Sequence, residues 1–230
     1  KLSILVFYGA IAYYSAKLLI KSNIGIPKYV LLSGTASKSA SIIDASSNLK
    51  NLSYIFQFIF ESVYGDYAKE KLQVKLSNLP KEVTCKGALK GNIDDSIDEF
   101  PNKFWIGGNK NDKWGKALDK ELDLQNTPKY GELNENIKDN IENSILDFFA
   151  ILDNFNQTNN IESKFIIEPE AYSIFKRVRG SNIKDFLVRG IKAYYKKSDS
   201  KIEETLFFYP LIGILNKLSY ELSKKNHDDE

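Results

Sequence analysis

Small and polar residues follow a short apolar stretch in the first part of the chain, in the order Ser33-Gly34-Thr35-Ala36-Ser37-Lys38. The preceding residues, Tyr-Val-Leu-Leu at 29–32, are typical of a buried strand. Small side chains let a ligand approach the main chain, and backbone N–H groups at such a turn can hold a phosphate. The segment therefore predicts contact with a phosphate or a nucleoside. The alternative is an ordinary connection between a strand and a helix, with a serine as the helix cap.

The elements that would position this segment follow from the hydrophobic pattern. Residues 3–22 are apolar on most faces and predict a buried helix, although the core of a signal peptide has a similar composition. A strand over 28–33 comes next, and an amphipathic helix over 48–64 follows the small-residue turn. Gly65 is placed to cap the end of that helix.

Further along, apolar and polar residues alternate over 72–76, which predicts a half-buried strand. Pro80 suits the first position of a short helix over 81–90. Residues 104–106 could form another strand. For the Gly107-Gly108 pair that follows, a tight turn is favoured over a second approach to a ligand.

The second half of the chain has the three- and four-residue spacing of helices. A long stripe predicts one helix from about residue 134, Pro169 would start a second that ends near Gly180, and Ser181 would cap a third over 182–197. A fourth helix over 200–224 contains Pro210, which should kink or divide it. The stripe of the first helix consists of Ile137, Ile141, Ile145, Phe148, Phe149, Leu152 and Phe155.

The order of helix, strand, small-residue turn, helix and strand resembles the C-terminal half of the nucleotide-binding core in the actin, sugar kinase and Hsp70 ATPase superfamily. The resemblance covers residues 3–91 and rests on Leu32 to Lys38 and on Leu-Pro-Lys-Glu-Val-Thr-Cys-Lys-Gly-Ala-Leu at 79–89. It implies an α/β fold, with a ribonuclease H-like, actin-like ATPase subdomain over 1–108 and a mainly α-helical region over 109–230.

The resemblance also implies a site for ATP or ADP with Mg, on the adenosine side of a cleft between domains. Ser33 belongs to the matching motif, Gly34 and Thr35 would lie against the ribose and phosphates, and Ser37 and Lys38 would border the adenine. Thr35 stands where the family usually has a second glycine. No Asp-x-Gly loop occurs in the chain, so we expect no catalytic residues and no ATP hydrolysis by this chain alone.

We therefore expect a fragment whose partner is the missing N-terminal part of the same protein. The absence of methionine from all 230 positions agrees with that expectation. The alternative is a non-enzymatic scaffold or protein-interaction module with a degenerate ATPase fold, whose helical region would offer a surface to a protein partner.

The composition limits which other kinds of site and partner the chain could have. The single Cys85 excludes an internal disulfide and a multi-cysteine metal site, and His227 is the only histidine. The net charge of +2 predicts no strong attraction to nucleic acid or to a membrane, and we expect a cytoplasmic protein. A basic stretch over 176–197 could bind nucleic acid, but a solvated helical face is favoured because acidic residues flank it.

Overall fold

The computed structural model describes residues 1–21, 23–77, 135–180, 182–195 and 207–228. Of these residues, 74% are helical and 5% lie in strands. They divide into two compact units. The first contains the described residues of 1–77 and 151–168, and the second contains those of 135–150 and 169–228. The expected domain boundary at residue 108 lies outside the described residues and stays a prediction.

The expected ribonuclease H-like α/β fold is wrong. The described part of the chain has a single sheet of two parallel strands, β1 (Tyr29–Leu32) and β2 (Gln73–Leu76), paired in register from Tyr29 with Gln73 to Leu32 with Leu76. Both strands were predicted, within a residue or two, but the expectation that residues 29–32 form a buried strand is wrong, because Tyr29 and Leu31 are 50% and 57% exposed. The inference failed because a strand, a helical crossover and a parallel strand form a local unit that does not specify a larger sheet.

Helix α1 (Leu2–Lys21) is the predicted apolar helix and forms much of the core of the first unit. Leu5, Ala10 and Tyr13 are almost fully buried. Among the described residues, α1 is also the helix long and apolar enough to cross a membrane, a test that core helices and signal sequences pass as well.

The connection between the two strands is helical. A 3-10 helix (Thr35–Ser39) runs into the short helix α2 (Ala40–Ile43), and a second 3-10 turn (Ser47–Leu49) leads into α3 (Lys50–Tyr64). Gly65 ends α3 in the left-handed conformation, at a φ of 67°, and its N–H bonds the carbonyl of Glu61 at 2.9 Å. The cap and the amphipathic stripe are confirmed. The buried members of that stripe are Leu52, Ile55, Phe56, Ile59 and Phe60.

The first unit is completed by residues far along the chain. The end of α4 (Glu135–Asn159) and the short helix α5 (Ile161–Phe165) belong to it. Phe155 lies against the rings of Tyr54 and Phe58, with centroids 5.7 and 5.3 Å away. Asn51 donates its side-chain N–H to the carbonyl of Lys164 at 3.1 Å.

The described residues of the second unit are helices joined by short turns. It contains the start of α4, α6 (Ala171–Arg179), α7 (Ile183–Tyr195) and α8 (Phe208–Asp228). The predicted stripe of α4 is buried from Ile141 to Phe155, while the side chain of Ile137 and the proposed cap Ser181 lie outside the described residues.

Pro210 lies near the start of α8 and not in its interior, and residues 200–206 of the predicted helix lie outside the described residues. The helix begins at Phe208, so Pro210 lies in the first turn, where its missing N–H leaves no helical hydrogen bond unmade. Two glycines allow α7 and α8 to approach each other closely. A Cβ on Gly213 would lie 2.3 Å from Cδ1 of Phe186, and one on Gly190 would lie 2.7 Å from Cβ of Tyr209.

Candidate functional site

The small-residue segment lies at the carboxyl end of β1, where the sequence predicted it. Gly34 has a φ of 86°, a backbone conformation that a residue with a Cβ rarely adopts. The 3-10 helix from Thr35 to Ser39 follows directly. The chain therefore turns sharply directly after β1.

The polar groups of this turn bond one another. The Ser37 hydroxyl is buried and donates to the carbonyl of Gly34 at 2.7 Å, while that of Ser39 donates to the carbonyl of Ala36 at 2.7 Å. From α1, the hydroxyl of Tyr8 lies 3.0 Å from that of Ser39. The structure thus brings Gly34 and Ser37 together and leaves Ser33, Thr35 and Lys38 exposed. The hydroxyl of Ser37 is used to shape the turn.

A groove of about 880 Å³ lies beside β2, and none of the five predicted site residues lines it. One wall is the stretch that includes β2, and the other is the connection between α2 and α3. The lining residues are Ser41, Asp44, Ala45, Ser46, Asn48, Leu49, Lys50, Ser53 and all of residues 71–76.

Asp44 is the only carboxylate among the described residues of this lining and is 3% exposed. One of its oxygens, Oδ1, accepts from the N–H and the hydroxyl of Ser46, at 2.9 and 2.5 Å. The other, Oδ2, accepts from the N–H of Leu52 at 2.7 Å. Since three donors surround it, the carboxylate is already satisfied within the protein.

These bonds cap α3 from outside the helix. The Ser46 hydroxyl oxygen accepts from the N–H groups of Lys50 and Asn51, at 2.9 and 3.3 Å, and Asp44 takes the next one, at Leu52. The first turn of a helix normally offers such N–H groups to an anion. Here the carboxylate of Asp44 takes that place, so this helix end is not open to a phosphate.

The backbone between the cap and α3 is strained. Asn48 and Leu49 are consecutive non-glycine residues with φ values of 58° and 50°. A residue held in this region costs about 1–3 kcal/mol and persists only where its surroundings impose it. Burial of Leu49 and the hydrogen bonds of Asp44 and Ser46 impose it here, so this wall of the groove has one fixed shape.

The Ser53 side chain joins the two walls. Its hydroxyl donates to the carbonyl of Leu49 at 2.8 Å, and its oxygen accepts from the N–H of Val74 at 2.9 Å. The outward-facing N–H in the middle of β2 is therefore bonded to α3. No further strand can pair with β2 at that point.

Three lysines give the groove an excess of positive charge. Lys50, Lys71 and Lys75 are exposed, and within the described residues none of them forms an ion pair. Lys75 lies over the ring of Tyr29, with its Nζ 4.0 Å from the centroid. The one opposite charge in the lining, on Asp44, is buried and bonded. Among the described lining residues, an acidic ligand would therefore find cations without a competing exposed carboxylate.

The described residues contain no group of three or more His, Cys, Asp or Glu side chains that could hold a metal ion. The basic stretch over 176–197 is partly engaged within the second unit. The Arg179 guanidinium lies over the ring of Phe149, 5.3 Å from the centroid, and donates to the Phe149 carbonyl at 3.4 Å. Lys184 pairs with Asp139 at 2.5 Å. These contacts favour a structural role for both cations.

No protein family, no curated protein and no solved structure matches this chain. The resemblance to the actin and Hsp70 superfamily thus stays a prediction, as do the nucleotide, the missing N-terminal partner and the cytoplasmic location.

Sequence reasoning missed Asp44, Ser46, Ser53 and the lysines of the groove. A local signal existed for the first two, because polar residues directly before an amphipathic stripe indicate a helix cap. No comparable signal existed for Ser53 or for the lysines. Their neighbours in space are separated from them along the chain.

Proposed function

We propose that this chain is a non-enzymatic protein-interaction module whose lysine-lined groove takes an acidic, extended segment of a partner protein. The observation that carries the proposal is the charge of the groove. Among the described residues, Lys50, Lys71 and Lys75 line it without ion pairs, and Asp44, the one carboxylate in that lining, is buried and bonded. Complementary charge of this kind contributes chiefly to the rate and specificity of association.

The dimensions of the groove suit a short peptide. Its long wall is the six residues 71–76, and six extended residues span about 20 Å. The side chains of Ser41, Asn48 and Gln73 also line it and supply both donors and acceptors for the main chain of a bound segment. A partner segment of about six residues would thus meet cations and amide groups along its length.

Two other ligands fit less well. Single-stranded nucleic acid is usually held by aromatic side chains that stack on the bases, and none of the described residues that line the groove is aromatic. Free phosphate would favour the helix end that Asp44 already caps. The ATPase hypothesis is not carried further, since it rested on an α/β fold that the structure contradicts.

The test uses a labelled peptide and two variants of equal charge. The probe is a fluorescein-labelled peptide of alternating serine and glutamate, and the readout is fluorescence anisotropy with the full chain. The groove variant is Lys50→Glu with Lys71→Glu. The matched control, Lys38→Glu with Lys69→Glu, changes two exposed lysines that do not line the groove.

We expect the groove variant to raise the Kd for the glutamate peptide about tenfold, which corresponds to roughly 1.4 kcal/mol, and the control to change it less than twofold. Binding should weaken as salt is added, because exposed charges are screened. Equal losses in both variants would show that net charge alone attracts the peptide. That result, or no binding by the wild type, would overturn the proposal.

A further inference from the structure

We propose that the groove has a competitor within its own chain: residues 94–99, Asp-Asp-Ser-Ile-Asp-Glu, bind the lysine-lined groove and compete with the acidic segment of a partner. This regulation rests on the proposed function, since it acts on the same site. Residues 94–99 lie outside the described residues, and their sequence, charge and position along the chain carry the inference.

Residues 94–99 are the most acidic short stretch of the chain. Four of the six side chains are carboxylates, and no other six consecutive residues of the sequence carry as many. No lysine or arginine occurs over 91–102, so neighbours in sequence do not neutralise this charge. The stretch therefore has the composition that a groove lined by lysines attracts.

The length of the stretch also fits the groove. The long wall of the groove is residues 71–76, and six extended residues span about 20 Å. Four carboxylates distributed over that length would meet the ammonium groups of Lys50, Lys71 and Lys75, which line the groove.

The position of residues 94–99 along the chain brings them within reach of this site. Ser77, the last described residue before them, directly follows Leu76, which lines the groove. Residues 78–93 join Ser77 to Asp94 and can span at most about 55 Å, which is more than twice the length of the groove. Residues 94–99 can therefore reach the groove of their own molecule.

Attachment to the same chain favours this occupant over the same residues of a second copy. A ligand tethered to its site acts at an effective concentration on the order of 1 mM, roughly a thousandfold above a micromolar solution of the protein. At a Kd of about 0.5 mM for residues 94–99, the groove would be free in roughly one molecule in three, and the apparent Kd for a partner would rise about threefold.

The test neutralises the acidic stretch and keeps the size of its side chains. The readout is fluorescence anisotropy of the fluorescein-labelled serine–glutamate peptide with the full chain, and circular dichroism checks folding. The stretch variant combines Asp94→Asn, Asp95→Asn, Asp98→Asn and Glu99→Gln. The matched control, which changes the net charge equally and also lies outside the described residues, combines Asp119→Asn, Glu121→Gln, Asp123→Asn and Glu132→Gln.

We expect the stretch variant to lower the Kd of the labelled peptide about threefold and the control to change it less than 1.5-fold. The Lys50→Glu, Lys71→Glu changes release the competitor as well as weakening the peptide. Their tenfold loss in the wild type should therefore grow to about thirtyfold in the stretch variant, where no competitor remains.

A second measurement uses the wild type and needs no variant. Carbodiimide coupling joins carboxylates to lysine amines that are in contact, and mass spectrometry of the digested protein identifies the joined pairs. We expect residues 94–99 to be joined to Lys50, Lys71 or Lys75 within the monomer. Lys38, which is exposed and does not line the groove, is the control and should not be joined to them.

An unchanged Kd in the stretch variant, or an equal gain in the control, would overturn the inference. So would joined pairs found only in dimers, since a second copy would then supply the occupant. If Lys50→Glu, Lys71→Glu weakens the peptide by the same factor in both backgrounds, the proposed function stands without the internal competitor. If neither the wild type nor the stretch variant binds the peptide, the proposed function fails as well.

Discussion

The hydroxyl oxygen of Ser53 accepts the main-chain N–H of Val74 at 2.9 Å, across 21 residues of chain. This bond ties α3 to β2 and fixes the distance between the two walls of the groove. Both residues are buried, so removing one partner leaves a poorly hydrated polar group on the other.

Ser53→Ala should therefore lower the free energy of unfolding by about 1–3 kcal/mol, because the N–H of Val74 loses its acceptor. Ser62→Ala is the control. The Ser62 hydroxyl donates to the carbonyl of Phe58 on the exposed side of the same helix, so its loss should cost at most about 0.5 kcal/mol. Urea titration of both variants measures the difference, and equal costs would contradict the assigned role of Ser53.

Asp44→Ala should be among the most damaging single changes in the first unit. It leaves the N–H of Leu52 and both donors of Ser46 without their acceptor, for a loss of about 2–3 kcal/mol. Asp44→Asn keeps one oxygen acceptor and should lose less. Asp66→Ala, which removes an exposed carboxylate bonded only to the next residue among the described contacts, is the comparison. Thermal unfolding should give the lowest melting temperature for Asp44→Ala, a higher one for Asp44→Asn and the highest for Asp66→Ala.

Two substitutions at Asn48 test the strained turn, because the stability of Asn48→Gly can be compared with that of Asn48→Ala. Its φ of 58° disfavours any residue with a Cβ, so Asn48→Gly should be more stable than Asn48→Ala by about 1 kcal/mol. At Asn154, exposed within α4, the order should reverse, because glycine costs about 1 kcal/mol against alanine inside a helix. The same order at both positions, measured by denaturant unfolding, would show that residue 48 is not held in the left-handed region.

Gly213 should not tolerate a larger side chain. An added Cβ would lie 2.3 Å from Cδ1 and 2.9 Å from Cγ of Phe186, so Gly213→Ala should cost about 1–3 kcal/mol through overpacking. At Gly180 the nearest atom would be the Arg177 carbonyl oxygen at 3.6 Å, and φ is −68°. Gly180→Ala should thus be neutral or stabilise by up to about 1 kcal/mol. Calorimetry should show a lowered melting temperature for Gly213→Ala, and an unchanged or raised one for Gly180→Ala.

Acid pH should weaken one ion-pair cluster of the second unit. A hydrogen bond from Lys138 at 2.7 Å lowers the pKa of Glu135, and the charge of Lys184 acts in the same direction. Because the pKa of Glu135 is lower in the folded state than in the unfolded state, its ionised carboxylate stabilises the fold above the unfolded-state pKa. That contribution is lost as the pH falls through the folded-state pKa. Wild type should exceed Glu135→Gln in stability at pH 7, and the gap should close in acid. A gap that persists below pH 3, in paired melting curves, would contradict this origin.

Local patterns predicted the elements well. The apolar stretch before Lys21 became α1, the stripe from Leu52 to Phe60 became the buried face of α3, and Gly65 became its cap. Each of these features depends on residues within one or two turns. Their physical causes, helical periodicity and the freedom of glycine at positive φ, are visible in a single stretch of sequence.

Fold class and site depend on contacts between distant residues, which is why they were not predicted. The parallel pairing of Val30 with Val74 was compatible with a large sheet, yet the described residues contain no third strand. Lys50 and Lys71 line the same groove although 20 residues separate them. Only the packing of α3 on β2, through bonds such as that of Ser53 to Val74, brings those lysines together.

The first unit is assembled from two separated stretches, and this affects how it can form during synthesis. Phe155, which packs against Tyr54 and Phe58, emerges from the ribosome about 100 residues after them. At 5–20 residues per second that delay is on the order of 5–20 s, long compared with the folding of a single helix. Until residues 151–168 arrive, the side of α3 that carries Tyr54 and Phe58 lacks its Phe155 contact on the nascent chain.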